Sequence, residues 1–512
     1  MSVRLFSASI NGIEAQLIEV EVDSTPGLHA FNIVGLADKA VQESKEHIAS
    51  AIRSNSLIPP SAKHKKIIIN LAPADIRKEG PAYDLPIAVG YLLETTQVKF
   101  DTSNKLFLGE LSLNGSIKPV NGVLSSAILA KKLGFKELVV PAANANEAAV
   151  IEGLKVYGAS SITELIDHLS GMKPLKPAAH SPADTSISED DGEAFRLIKG
   201  QESAKRALMV AAAGGHNILM SGPPGSGKTL LAKALVDLMP RLSYPEAVEV
   251  TRIYSSLGLV NNASLLSARP FRSPHHTTSA PAMVGGGTNP KPGEISLSHR
   301  GILFLDELPE FPRSVLESLR EPLEEGIITV SRAAGAVRLP AKFTLVGAMN
   351  PCPCGNYGEP KAICVCSPIS VINYRKKISG PLLDRIDIQI NVPRETAGTK
   401  HEPLTRAKFQ NIKENIALAR NIQLERFKNK AIFTNAEITY KNIDAWCVLD
   451  ADAEKLLQQA IDAKGLSLRA YHKIKKLART IADLDQSETI SSRHIAEAVS
   501  LKINDKLLGE TT

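Results

Sequence analysis

The sequence predicts an α/β protein: a phosphate-binding core on a parallel sheet, a mixed α/β segment ahead of it and a helical region behind. Three observations predict this. The run Gly222-Pro223-Pro224-Gly225-Ser226-Gly227-Lys228-Thr229 follows the mostly apolar residues 217–220 and opens into the helical pattern of residues 230–235. That is the strand, glycine loop and helix order that a phosphate cradle requires. Further on, Gly301-Ile302-Leu303-Phe304-Leu305-Asp306-Glu307 reads as a buried strand ending in two carboxylates, because strands covered on both faces are continuously apolar. Residues from 395 onward carry helical spacing in four stretches, 405–429, 451–463, 467–484 and 492–501.

Length and composition agree with a multidomain globular protein. At 512 residues the chain has room for about two to four domains, and its 43% hydrophobic and 22% charged content is ordinary. No run approaches the ~18 apolar residues of a membrane span, and the start, Met1-Ser2-Val3-Arg4-Leu5-Phe6, lacks a signal-peptide pattern, so the expectation is a cytoplasmic protein. A net charge of +6 permits nucleic-acid binding without establishing it. Five cysteines, an odd number in an intracellular reading, argue against a disulfide framework.

In the first 172 residues, 17–22, 31–34, 66–70 and 138–141 read as strands, and 40–52 and 84–93 as helices. Residues 173–193 are rich in Pro, Ala, Ser and Asp and read as a linker. The expected division is therefore 1–172, linker 173–193, a core over 194–394 and a helical lid over 395–512.

The chemistry expected at the core follows from residue types. The loop glycines bring backbone N–H groups around phosphate oxygens, and the helix N-terminus adds its positive end. Lys228 is expected at the β/γ-phosphates, with Thr229 and Asp306 on Mg²⁺. Glu307 is expected to polarise an attacking water, which suits hydrolysis. The strand at 343–350 ends in Asn350, a polar residue that its position alone leaves without an assigned role. Adjacent His275 and His276, in a Gly/Pro-rich stretch, lack metal-ligand spacing and read as structural or phosphate-contacting. Residues 312–325 read as one helix. Residues 326–340 form a hairpin pattern around Ala333-Ala334-Gly335, with Arg332 and Arg338 on its arms. These arginines either bind phosphates without reading sequence or only aid solubility. Cys352, Cys354, Cys364 and Cys366 fall in one loop. Two readings stand: a tetrahedral Zn²⁺ site, although the Cys-x-Cys spacing is tighter than usual, or four reduced structural thiols. The basic run 471–479 reads as either a DNA contact or a solvated helix face.

These segments resemble a known family. Asn32-Ile33-Val34-Gly35-Leu36-Ala37, residues 70–75 and residues 77–86 look like the N-terminal domain of magnesium-chelatase-like AAA+ ATPases of the ComM (YifB-like) group. That domain is similar to the Lon protease domain (ribosomal S5 domain 2-like α+β). In Lon a nucleophilic serine follows Gly-Pro; here Ala82 follows Gly80-Pro81 and no lysine stands at residues 122–124, so no acyl chemistry is expected. The resemblance covers essentially the whole chain. It implies an AAA+ P-loop core using ATP and Mg²⁺, with a helical lid. It makes the loops between 254 and 300 an insert facing a pore, with Lys291 beside Arg332 and Arg338 as a DNA contact. Asn350 becomes the sensor-1 residue, and Leu382-Leu383-Asp384-Arg385-Ile386-Asp387 an arginine-finger box with Arg385 reaching a neighbour's γ-phosphate. Arg469 becomes the sensor-2 arginine, against the alternative of a helix-surface residue. The implied protein is a homo-hexameric DNA translocase that promotes branch migration on single-stranded and branched DNA during recombination and natural transformation, with recombination proteins as partners. A chelatase-type motor acting on a non-DNA client is the rival.

Overall fold

The computed structural model describes residues 2–62, 64–180, 192–260, 264–287, 290–332, 335–359, 362–395, 404–428, 430 and 432–502. It divides into two compact units, one of residues 1–185, 243–267 and 287–292, the other of residues 186–242, 268–286 and 293–512. Most of the stretch read as a linker lies outside the described residues. No described helix is long and apolar enough to cross a membrane.

The first unit is built on a hairpin. Strands β1 (Val3–Asn11) and β2 (Glu14–Pro26) pair antiparallel, from Val3 opposite Val22 to Asn11 opposite Glu14. Gly12-Ile13 makes the turn, with Gly12 at φ +63, where a side chain would be strained. Strands β3 (Ala30–Val34), β4 (Lys65–Ala72), β5 (Lys105–Phe107), β6 (Glu137–Pro141) and β7 (Lys155–Ala159) complete a mixed seven-stranded sheet in the order β3-β4-β2-β1-β5-β6-β7. Alternation decides which face is buried: Ile67, Ile69 and Leu71 of β4 point into the core, together with Val20 and Val22 of β2. Helices Lys39–Ser54 and Asp84–Glu94 contribute to the same core. The Asp38 carboxylate accepts from the Val41 N–H at 2.8 Å and caps the first of them.

Residues 243–267, expected in the nucleotide core, belong to the first unit. Tyr244–Ser256 is a helix whose Tyr244 hydroxyl donates to the Val150 carbonyl at 2.7 Å, and its Ser255 carbonyl accepts from the Gly122 N–H at 2.9 Å. Glu147 accepts from both Leu124 N–H and the Ser255 hydroxyl. These are long-range contacts that no local pattern announces.

The second unit holds a fully parallel five-stranded sheet. Strands β8 (Ile218–Ser221), β9 (Phe271–Arg272), β10 (Ile302–Leu305), β13 (Thr344–Met349) and β14 (Ile388–Asn391) run in the order β9-β10-β13-β8-β14; between β10 and β13 the chain makes the hairpin of β11 (Ile327–Arg332) and β12 (Gly335–Pro340). Every residue of β8, β10 and β13 is buried, as covered parallel strands require. The expected helix over 312–325 is two pieces, Arg313–Ser318 and Arg320–Glu325. Pro322 has no N–H for the Ser318 carbonyl, and its ring crowds that group.

Helices Arg406–Arg426, Ala451–Lys464, Leu468–Leu484 and Ser492–Lys502 share one hydrophobic core with the sheet. The basic run at 471–479 is not a freely solvated face. Lys475 and Arg479 are buried, and the four cations are tied to Asp387, Asp444, the Ala436 carbonyl and Asp483 by Lys473, Lys475, Lys476 and Arg479 respectively. A charge run buried in this way is an internal scaffold, because each cation has a partner.

Candidate nucleotide site and cysteine cluster

The phosphate loop hangs between β8 and the helix Lys228–Leu238. Gly225 and Gly227 sit at φ +76 and +90, which residues with a side chain rarely adopt. The loop is tied down at both edges: Gly222 N–H donates to the Met349 carbonyl at 3.2 Å, and Arg394 donates to the Pro224 carbonyl at 2.9 Å. Ser226 is buried, and its hydroxyl has no hydrogen-bond partner.

The functional side chains converge at the carboxyl ends of β8, β10 and β13. Lys228 Nζ donates to the carbonyls of Gly222 and Pro223, at 2.7 and 3.0 Å, and to Asn350 Oδ1 at 3.2 Å. Burial pushes the Lys228 ammonium below its usual pKa, while the carboxylates of Asp306 and Glu307 pull it back up. Thr229 Oγ1 donates to Asp306 Oδ2 at 3.1 Å. A hydroxyl and a carboxylate so placed suit an octahedral Mg²⁺ that keeps water and phosphate oxygens as its other ligands. Asp306 Oδ1 also accepts the Glu307 N–H at 2.9 Å.

Glu307 holds a left-handed backbone, φ +51 and ψ 44, a conformation costing on the order of 1–3 kcal/mol that concentrates at working sites. Its Oε2 lies 3.3 Å from His276 Nδ1, and His276 packs on His275 with ring centroids 4.1 Å apart. The sequence singled out the histidine pair but not this partner; the adjacency of β9 and β10 in the sheet brings the two segments together.

Arg385 and Arg469 come together on Glu324. Arg385 pairs with Glu324 and donates to the Pro381 carbonyl at 2.8 Å; Arg469 lies 3.5 Å from the same Glu324. Glu324 gave no sequence signal beyond an acidic helix surface. The last residue of the box, Asp387, is structural: it accepts from Asn217 N–H at 3.0 Å and pairs with Lys473 at 2.6 Å. Its burial would raise the carboxyl pKa, but the Lys473 ammonium and His216 outweigh that and hold it well below the usual carboxylate range. Arg338 is exposed on β12, opposite Thr329, and Lys291 is exposed. Arg332 ends β11; its side chain lies outside what is described.

The four loop cysteines are gathered. All four sulfurs lie within 4.8 Å of one another. Cys352 Sγ is 3.4 Å from Cys354 Sγ and 3.7 Å from Cys364 Sγ, close to the roughly 3.8 Å between ligands of a tetrahedral thiolate site with 2.3 Å bonds. Backbone N–H groups of Tyr357 and Cys354 donate to the sulfurs of Cys352 and Cys366 at 3.3 and 3.4 Å. The N–H groups of Asn356 and Val365 hold the Cys354 thiol down to about 6. The fifth cysteine, Cys447, is buried, which pushes its thiol up to about 11.

Three family models match the chain: "Magnesium chelatase, subunit ChlI" over residues 194–400, "Subunit ChlI of Mg-chelatase" over 20–144 and "Magnesium chelatase, subunit ChlI C-terminal" over 407–502. The Competence protein ComM of Haemophilus influenzae is 40% identical over 509 residues, 98% of each chain. The uncharacterized protein YifB of Escherichia coli is 40% identical over 504 residues, 97% of this chain and 96% of its own. The magnesium-chelatase 38 kDa subunit of Rhodobacter capsulatus is 29% identical over 177 residues, 31% of this chain and half of its own. Likeness at this level over nearly the whole length, joined to a glycine loop whose lysine, threonine and facing carboxylate are already assembled, places the chain in the magnesium-chelatase-like AAA+ family of ComM and YifB, with the ATP and Mg²⁺ use that family implies.

Proposed function

We propose that the chain is a cytoplasmic ATP-driven DNA translocase that works as a homo-hexamer and promotes branch migration in homologous recombination, including natural transformation. The observation that carries this reading is the 40% identity to a competence protein across 98% of both chains. The assembled phosphate end supports the ATPase part. Lys228 holds β/γ-phosphate oxygens, and Thr229 with Asp306 holds Mg²⁺, which when bound offsets phosphate charge. Glu307 orients a water and accepts its proton, and Asn350 fixes the water's position. Arg385 meets the charge that develops on a neighbouring subunit's nucleotide, and Arg469, as the sensor-2 arginine, contacts nucleotide and couples its hydrolysis to lid motion. Arg338, Arg332 and Lys291 supply cations that grip DNA phosphates without reading bases. The cysteine cluster holds one Zn²⁺ as a structural ion.

A second reading has its own observation. The family models carry the name of a magnesium-chelatase subunit, which favours a motor acting on a non-DNA client. ATP hydrolysis measured without DNA and with single strands, duplex and a four-way junction separates the two, beside Glu307→Gln as the dead control. Junction migration that needs Glu307 and turnover stimulated by DNA support the translocase. Turnover indifferent to every DNA removes it in favour of the second reading.

A further inference from the structure

The loop that carries the cysteines has little else to hold its shape. From Pro351 to Ser367 no described residue lies in a helix or strand. Its apolar residues Ile363 and Val365 are 86% and 82% exposed rather than anchored in a core. Only Cys352 among the four thiols is buried. A loop without a core takes its order from cross-links, and a tetrathiolate metal ion is one that also couples to local folding.

This loop rests on the phosphate loop. Gly355, three residues past Cys352 and at φ +82, packs so closely on Pro224 that an added Cβ would lie 2.5 Å from the ring Cδ and 2.8 Å from Cγ. Gly355 N–H donates to the Cys352 carbonyl at 3.0 Å, so the contact point belongs to the cysteine turn itself. The same stretch starts at Asn350, which accepts from Lys228. It is held from the following helix by Arg375, which donates to the Pro351 carbonyl at 3.3 Å and lies 5.0 Å over the Tyr357 ring. On its other side Pro224 is fixed by Arg394. The phosphate loop is thus clamped between Arg394 and the cysteine turn.

We infer that a Zn²⁺ ion on Cys352, Cys354, Cys364 and Cys366 braces the phosphate loop through the Gly355–Pro224 contact, so that metal and ATP bind this chain cooperatively. The inference rests on the zinc and ATP readings above and adds the coupling between them. The ion bears on the backbone that must present its N–H groups to phosphate. With it gone, Gly355 no longer fixes Pro224, and loop order must be gained at the expense of ATP binding. Coupling of this kind is typically 5–150-fold and reciprocal, so ATP must tighten zinc binding at equilibrium by the same free energy by which zinc strengthens ATP binding.

The test uses the full chain under reducing conditions. Metal content is measured, zinc is extracted with a chelator, the chelator is removed and Mg²⁺ restored, and affinity is read with a fluorescent ATP analogue. Expected are about one zinc per chain, affinity weakened on the order of tenfold after extraction and restored by Zn²⁺, and slower extraction when ATP is present. Gly355→Ala, which crowds Pro224 and strains the turn at φ +82 but leaves all four thiols in the chain, is expected to keep its zinc and still bind ATP more weakly. This variant tests the contact even where the extracted chain loses its fold. Zinc present, with affinity unchanged by extraction and by Gly355→Ala, overturns the coupling and leaves both parent readings standing. No zinc in protein prepared without chelators overturns the metal reading and the coupling together. Zinc-loaded wild-type chain that binds no ATP overturns the nucleotide reading.

Discussion

Arg385, the arginine expected to reach a neighbour's nucleotide, is paired within its own chain to Glu324, and Arg469 lies 3.5 Å from the same carboxylate. One acidic side chain holds both cations. Arg385→Ala is expected to lower turnover by about 10³-fold or more while sparing ATP binding, since a positioned arginine is typically worth that much in phosphoryl transfer. Glu324→Gln removes the competing anion, so turnover per chain is expected to rise most at low protein concentration, where few neighbours meet. Steady-state rates across a protein dilution series check this; identical curves for wild type and Glu324→Gln would show that the pair does not restrain Arg385.

Glu307 is held in a left-handed conformation beside His276. Glu307→Gln keeps the shape but loses the base. Its expected effect is a 10²–10⁴-fold drop in turnover, roughly what a general base contributes, with ATP affinity retained. Single-turnover kinetics together with equilibrium ATP binding separate the two; loss of binding equal to the loss of rate would move Glu307 from chemistry to nucleotide positioning.

The exposed cation on the hairpin arm, Arg338, carries the DNA expectation. Arg338→Ala is expected to weaken DNA binding evenly across sequences and to lower the salt slope by about one, while DNA-independent hydrolysis stays as in wild type. Binding measured at several salt concentrations decides it, and an unchanged slope assigns Arg338 to the solvated surface.

Two buried carboxylates predict opposite acid behaviour. Asp84 is raised from 3.8 to about 6, chiefly by burial, against hydrogen bonds from Ser44 and Leu111 and the nearby His47. The folded state therefore binds the proton more tightly than the unfolded chain, and this group lowers stability as pH rises from about 4 to 6. Asp84→Asn should remove that slope from the unfolding of the first unit, as read by calorimetry between these pH values; a persisting slope would point to another group.

Asp387 is depressed, so its contribution is present above the ordinary carboxylate pKa and is lost as pH falls below it. Asp387→Asn leaves Lys473 without its anion, and Asn217 with an amide in place of the carboxylate. Breaking a buried pair in this way typically costs about 3–5 kcal/mol. Denaturant unfolding at neutral pH measures it; a change under about 1 kcal/mol would mean the site relaxes around the lost charge.

Legibility followed sequence distance. The glycine loop and the acidic strand end are local strings whose chemistry can be read without a fold, and the four cysteines stand out by falling in one loop. The lid helices appeared where their spacing placed them. Less legible were the basic residues at 471–479, because a string of cations looks alike whether it faces solvent or, as here, Asp387, Asp444 and Asp483. The same holds for residues 243–267, whose place in the first unit depends on Glu147 and Val150, far back in the chain.

The sequence by itself determined the phosphate loop, the strand–loop–helix order around it and the family, since each rests on residue types at short, fixed spacing. Only the tertiary structure decided that His276 faces Glu307, that Glu324 gathers Arg385 and Arg469, and that the cysteine turn presses on Pro224. Parallel strands place residues distant in sequence at the same edge of one sheet, and no periodicity along the chain records which neighbours that edge will bring together.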